Sequence, residues 1–197
     1  MARRALRDKP SADRILTAAE TLFANKGYGE VSLRQLIAAA GVSTTAFYAR
    51  FDSKASVLDT LTERLFAELQ LEAAMELRNV RDFATGIERG VDILCARFGP
   101  RKALVRLVVA ESGSLAPMLS TRRKSYAMLA GFLAHYFKLL ADRGRITVAD
   151  PNALAWALVG ALEIQIVRWA VWDELELDQL RDELLAVTRA ILPKEKS

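Results

Sequence analysis

Apolar residues recur at helical steps along almost the whole chain. Ile15, Ala19, Leu22 and Phe23 share one face of a first predicted helix, from about Ala12 to Lys26, with Gly27 just beyond it. Leu33, Leu36, Ile37 and Ala40 fall at i, i+3, i+4 and i+7 of a second. Ser32, followed three places later by Gln35, has the form of a capping box that satisfies the free N–H groups at that helix's start. Gly41 stops it, because a residue without Cβ enters the left-handed conformation of a helix C-terminus at little steric cost. Val42 plugs the turn, and Ser43 is a good N-cap for a third short helix carrying Phe47, Tyr48 and Phe51. Two short helices meeting at a three-residue turn form the unit that delivers a helix to the DNA major groove. Asp52 or Ser53 can cap a fourth helix, whose stripe of Val57, Leu58, Leu61 and Leu65 runs on through Leu69 as a connection between domains.

Beyond Met75 the same period continues, broken by short punctuation. Phe83, Ile87, Val91 and Leu94 mark one helix, ended by Gly99 and Pro100; Leu104, Leu107, Val108 and Glu111 mark another, ended by Ser112–Gly113–Ser114. A long helix with Tyr126, Leu129, Phe132, Leu133 and Tyr136 follows Pro117 and stops at Gly144. Asp150 and Pro151 form an N-cap and first-turn pair for the next, and a last helix spans about Asp178 to Leu192. No segment alternates with the period of a strand. The fold expected is all-α, with a helix-turn-helix domain over 1–54 and a larger helical domain over 55–197.

Two features of the last helices suggest assembly. From Ala153 to Trp172 the sequence is apolar nearly all round, which implies burial on several sides. In the final helix Leu177, Leu180, Leu184, Val187 and Ile191 fall at steps of three and four, a helix-pairing seam. With Leu158 and Leu162 of the preceding helix, these residues predict a four-helix interface about a two-fold axis in a homodimer. The Ala153–Trp172 stretch is also long enough to cross a bilayer, but Glu163, Gln165 and Arg168 interrupt it, so no membrane partner is expected.

Composition narrows the class. Of 197 residues, 52% are hydrophobic and 26% charged, with only 10 Gly and 5 Pro, as in a helical globular protein. A single cysteine, Cys95, forms no internal disulfide and, with His135 the one histidine, no zinc site; the count suits a reducing cytoplasm. The amino-terminal residues are basic without a following apolar run, so no secretion signal is expected. The net charge of +4 lies entirely in residues 1–54, where nine Lys or Arg face five Asp or Glu; the remaining 19 basic and 19 acidic residues cancel. That asymmetry suits a phosphate-facing domain joined to a neutral one.

In order and spacing, Arg14 to Leu33, then Ala38-Ala39-Ala40-Gly41-Val42-Ser43, then Phe47-Tyr48-Ala49-Arg50-Phe51, then Ser53 to Leu58 resemble the amino-terminal domain of the TetR family of transcriptional regulators. The resemblance covers Arg14 to about Leu61. It implies a DNA-binding regulator of double-stranded DNA, most simply a repressor released from a palindromic operator by a small ligand. Carried over by position, Ser43, Thr44 and Thr45 open the reading helix, Arg34 projects towards a base edge or phosphate, Tyr48 and Lys54 hold phosphates, and Arg50 suits either role. Arg34 is the strongest candidate for base readout, since a guanidinium bonds two guanine acceptors at once. Arg3, Arg4 and Arg7 suggest an arm that adds salt-dependent affinity, in the manner of minor-groove arms. Three positions depart from the family pattern: Ile37 stands where a small alanine is usual, Thr45 where glycine or another small residue is frequent, and Thr44 where a basic residue is common.

The resemblance also implies a small-molecule effector bound among the middle helices. Apolar and aromatic walls from Phe98, Leu107, Tyr126, Phe132 and Trp169, with Glu111 or Glu163 as polar anchors, predict a largely hydrophobic ligand. No cofactor motif is present. An enzyme is disfavoured, because His135 lies between Ala134 and Tyr136 with no nucleophile motif, metal spacing or glycine-rich phosphate loop nearby. The alternative is a helical small-molecule-binding or adaptor protein that does not bind DNA.

Overall fold

A computed structural model describes residues 10–78, 80, 83–110 and 116–193. Every element among the described residues is helical: α1 (Ser11–Lys26), α2 (Leu33–Ala40), α3 (Thr44–Tyr48), α4 (Lys54–Leu77), α5 (Phe83–Phe98), α6 (Lys102–Ala110), α7 (Ala116–Asp142), α8 (Pro151–Ala170) and α9 (Leu177–Ile191). A single 3-10 turn, Gly99–Arg101, joins α5 to α6.

The predicted caps form. Ser32 Oγ accepts from the Gln35 N–H at 3.2 Å while the Ser32 N–H donates to Gln35 Oε1 at 2.8 Å, closing the capping box of α2. Gly41 ends α2 in the left-handed region, at φ 63° and ψ 36°. Ser43 accepts from the Ala46 N–H to start α3, Ser53 caps α4, and Asp150 accepts from the N–H groups of Asn152 and Ala153 to start α8. Ile37, large for its place in the resemblance, is half-buried and packs on the core without disturbing the turn: Val42 still donates to the Ile37 carbonyl.

Helices α1 to α3 form a small head on the first turns of α4. Ile15, Phe23, Leu36, Phe47, Val57 and Leu58 meet in its interior, each no more than 2% exposed. Lys54 braces the head from below. Its ammonium donates to the Tyr28 carbonyl at 2.6 Å and the Val31 carbonyl at 2.7 Å, and lies 4.1 Å from the centroid of the Tyr28 ring. The lysine expected to touch phosphate therefore has its charge turned inward on the loop between α1 and α2.

The body is a layered bundle in which α4 packs on α5 and α7, α8 on α7 and α9, and α5 on α9; α6 bridges α8 to α1. Packing takes three residues out of the expected subunit seam. Leu158, Leu180 and Leu184 are 3%, 0% and 0% exposed within one chain, so they fill its own core and have no surface left to offer a partner. Leu162, Leu177 and Ile191 are half-buried against the same core, and Val187 is half-buried too. What remains free on α8 is a different stripe, Trp156, Ile164 and Trp172, each 43% exposed or more. α8 is long and apolar enough to cross a membrane, and here it lies packed among α6, α7 and α9.

Two stability predictions follow from the head. A Cβ at Gly41 would meet nothing within 4 Å, so substitution there is opposed by backbone conformation alone. Gly41→Val should lower the unfolding free energy by about 1–2 kcal/mol, with Gly41→Asn losing less; urea titration of the two variants measures the difference. Lys54→Met keeps the aliphatic stem but strands the Val31 carbonyl and leaves the Tyr28 carbonyl only its 3.4 Å bond from the Val31 N–H, and should cost about 1–3 kcal/mol in the same titration.

Candidate nucleic-acid interface and internal cavity

The turn between α2 and α3 is held from behind by Arg14, whose guanidinium donates to the Gly41 carbonyl at 3.2 Å. Phe47 is fully buried and pins the rotation of the five-residue α3, stacking against Phe51 at 5.9 Å between centroids. With that side fixed, Ser43, Thr44, Thr45, Tyr48 and Arg50 are exposed, and Arg34 is exposed on α2. Tyr48 is not core: it is 52% exposed and meets Phe47 edge to face, leaving its hydroxyl outward. Neither Arg34 nor Arg50 has an ion-pair partner among the described residues. Ser43 Oγ also accepts from the Ala46 N–H at 3.1 Å, so it caps α3. Arg3, Arg4 and Arg7 lie outside the described residues. Arg14 had no place among the sequence candidates, since its partner lies 27 residues away.

A largely apolar cavity runs through the body between α4, α5, α7 and α8. Its inner chamber, of about 40 Å³, is walled by Phe98, Tyr126 and Glu163, and its larger chamber, of about 110 Å³, by Phe132. The two chambers share Leu69, Leu94, Leu129 and Leu162. Leu107 and Trp169, expected in the wall, are buried elsewhere. Val105, Val108 and Val109 supply the face of α6 that reaches the cavity, and Trp169 packs with the Lys102 ammonium 5.2 Å from its ring centroid. Glu111 lies outside the described residues.

Sequence reasoning missed several lining residues. Gly86 and Gly90 lie one helical turn apart on α5 and line the larger chamber, Gly90 leaving open space and Gly86 admitting the Tyr136 hydroxyl; that pairing was a usable signal. Thr188 on α9 lines the same chamber, and its hydroxyl is buried without a hydrogen-bond partner. Cys95 is buried core: burial, with Asp92 adding, pushes its thiol up to about 11, where it stays protonated and unreactive at neutral pH. Among the described residues no three His, Cys, Asp or Glu gather as a metal site.

The cavity is physically joined to the head. Phe98 meets Phe66 of α4 edge to face, and Phe66 meets Tyr126 in the same way, each at 6.3 Å. Three residues beyond Phe98, Arg101 donates to Glu68 of α4 at 2.8 Å and reaches Glu20 of α1 at 3.1 Å. Arg97, one turn earlier, bonds Glu72 of α4. Contacts thus run from the cavity wall at Phe98 to α1 by way of Arg101.

Residues 15–61 match the sequence pattern of bacterial regulatory proteins of the tetR family. The HTH-type transcriptional regulator EthR of Mycobacterium tuberculosis H37Rv is 32% identical over 104 residues, which cover 50% of this chain and 48% of that protein. The match thus spans about half the length of that relative. Among solved structures, a protein from Syntrophomonas wolfei assigned to the TetR family of transcriptional regulators superposes with a TM-score of 0.85 at 19% identity, covering 92% of this chain and 94% of its own. FadR of Thermus thermophilus, a TetR-family transcriptional repressor solved with lauroyl-CoA, superposes with a TM-score of 0.73 at 23% identity, covering 91% and 92%. At these identities the structures speak for the fold, and the fold they share includes the whole helical body. The head, with its capped α2, its left-handed Gly41 and its short α3, is thus similar in sequence to the amino-terminal domain of bacterial regulatory proteins of the tetR family.

Proposed function

We propose that the protein is a cytoplasmic, homodimeric, sequence-specific DNA-binding regulator, a repressor that leaves a palindromic operator when a small, largely hydrophobic ligand fills its cavity. The observation that carries the reading is the division of labour on α3. One side, Phe47, is sealed into the core, while Thr44, Thr45, Tyr48 and Arg50 stand exposed beside Arg34, with no ion-pair partner for either arginine among the described residues. Arg34 reads a base edge; Tyr48 and Arg50 hold phosphates; Lys54 acts indirectly, by keeping the α1–α2 loop in place. The apolar cavity supports an effector, and the lauroyl-CoA in the Thermus thermophilus relative supports a hydrophobic one.

A ligand that prefers one separation of the two heads shifts the DNA equilibrium by its differential affinity for the two shapes, and DNA shifts the ligand equilibrium equally. Arg101 carries the displacement from the wall at Phe98 to α1. The two heads are joined through the free stripe of α8, where exposed Gly160 lies one turn from both Trp156 and Ile164 and permits close approach of a second copy.

Selection on a pool of random duplexes at near-physiological salt should enrich an inverted repeat with half-sites about 34–36 Å apart. Failure to enrich any sequence, with protein folded and free of ligand, rejects the reading in favour of a ligand-binding adaptor. On the enriched site Arg34→Ala should cost about 1–3 kcal/mol and relax one base position, whereas Tyr48→Phe should weaken all sequences alike. Ile164→Glu should sediment as a monomer and lose most operator affinity; a variant still dimeric would move the interface off this stripe.

A further inference from the structure

The cavity has an opening of opposite character to its interior. At the end away from Glu163, the larger chamber shares Leu77, Phe132 and Tyr136 with a wider space of about 270 Å³ that reaches Arg78, His135 and Arg143. Arg78 follows α4 and Arg143 follows α7, so two helices that are distant in sequence bring guanidinium groups to one mouth. Basic residues at helix C-termini often do no more than complement the helix dipole. Two observations point further.

The first is the pattern of pairing. In the body Arg64, Arg89, Arg97, Arg101, Arg181 and Arg189 each have a carboxylate partner. Arg78 and Arg143 have none among the described residues, and Asp142, the acid beside Arg143 in sequence, is turned to Lys138. The second is polar asymmetry along the channel. Two arginines stand at the outer end, whereas the chambers behind them are lined by apolar side chains apart from Tyr126, Tyr136, Thr188 and the half-buried Glu163. Tyr136 stands at the junction, held close to α5 because Gly86 has no side chain: a Cβ there would lie 2.9 Å from the Tyr136 hydroxyl. Burial raises that hydroxyl above its ordinary pKa, while Arg145 and Arg143 pull it the other way, so their positive field reaches the junction.

We infer that the effector is a single-chain amphiphile with an anionic head, its chain lying in the apolar chambers and its head held at the mouth by Arg78 and Arg143. This rests on the reading of the cavity as an effector site, and adds to it which end of the ligand faces out and what charge it carries. An anionic head drawn into the apolar chambers would lose its hydration, whereas at the mouth it gains two charge-assisted donors and keeps contact with water. Along α7, Tyr126 to Tyr136 spans about 15 Å at 1.5 Å per residue, room for a chain of intermediate length.

The test is isothermal titration of the 197-residue chain with dodecanoate, lauroyl-CoA, uncharged dodecanol and cationic dodecyltrimethylammonium, all below their micellar concentrations. An anionic ligand should bind about tenfold more tightly than dodecanol, with a gap that narrows as salt is added. The double variant Arg78→Gln, Arg143→Gln should erase the gap while leaving dodecanol unchanged. Preference for dodecanoate over lauroyl-CoA identifies a carboxylate as the head, and the reverse preference identifies a phosphorylated one. Gly90→Leu, which extends into open space in the larger chamber, should abolish binding of the whole series, and circular dichroism checks its folding. Equal binding of dodecanoate and dodecanol, or a gap that survives the double variant, overturns the anionic head and leaves the hydrophobic effector standing. If none of the four binds, or if Gly90→Leu binds them as well as the parent does, the effector reading falls with it.

Discussion

Helix α4 is the member that the head and the body cannot do without. Its first turns supply Val57, Leu58 and Leu61 to the interior of the head, and its middle turns supply Leu65, Phe66 and Leu69 to the cavity wall. A helix of 24 residues is a stiff rod about 36 Å long. Lys54 fastens its start to the α1–α2 loop, and the pairs from Arg97 and Arg101 to Glu68 and Glu72 fasten its middle to the end of α5. These pairs are partly exposed and individually weak. Their value lies in geometry, since they fix the phase of the rod against both neighbours.

Much of the fold was legible because its signals are local. Ser32 with Gln35, Gly41, Ser43 and Asp150 with Pro151 each act within a few residues, and each forms the cap or turn that its chemistry implies. The reading face was legible for the same reason, since one buried Phe47 in a five-residue helix leaves little freedom for the rest. The contacts that escaped are long-range. Lys54 bonds carbonyls 23 and 26 residues away, and Arg14 bonds one 27 residues away. No periodicity encodes these.

Helical spacing says which side of α9 is apolar without saying what covers it. Leu180 and Leu184 form the seam that their spacing predicts, and the partner proves to be the chain's own α5 and α8. The stripe left free on α8 is carried by Trp156, Ile164 and Trp172 in a stretch so apolar all round that no one face stood out. The cavity was hardest to foresee, because it depends on atoms that are missing: Gly86 and Gly90 weaken α5 as a helix, and what they provide is a seat for the Tyr136 hydroxyl and, at Gly90, open room.

The shared core also sets how the molecule can be divided. The buried cluster runs unbroken from Ile15 to Leu185, passing from head to body through α4. A piece cut after Lys54 would keep every residue of the reading face and yet lose the floor on which Phe23, Leu36 and Phe47 rest. The smallest portable unit of this head therefore carries two or three turns of α4 with it, and any chimaera that grafts it onto another body must inherit the rod along with the hand it holds.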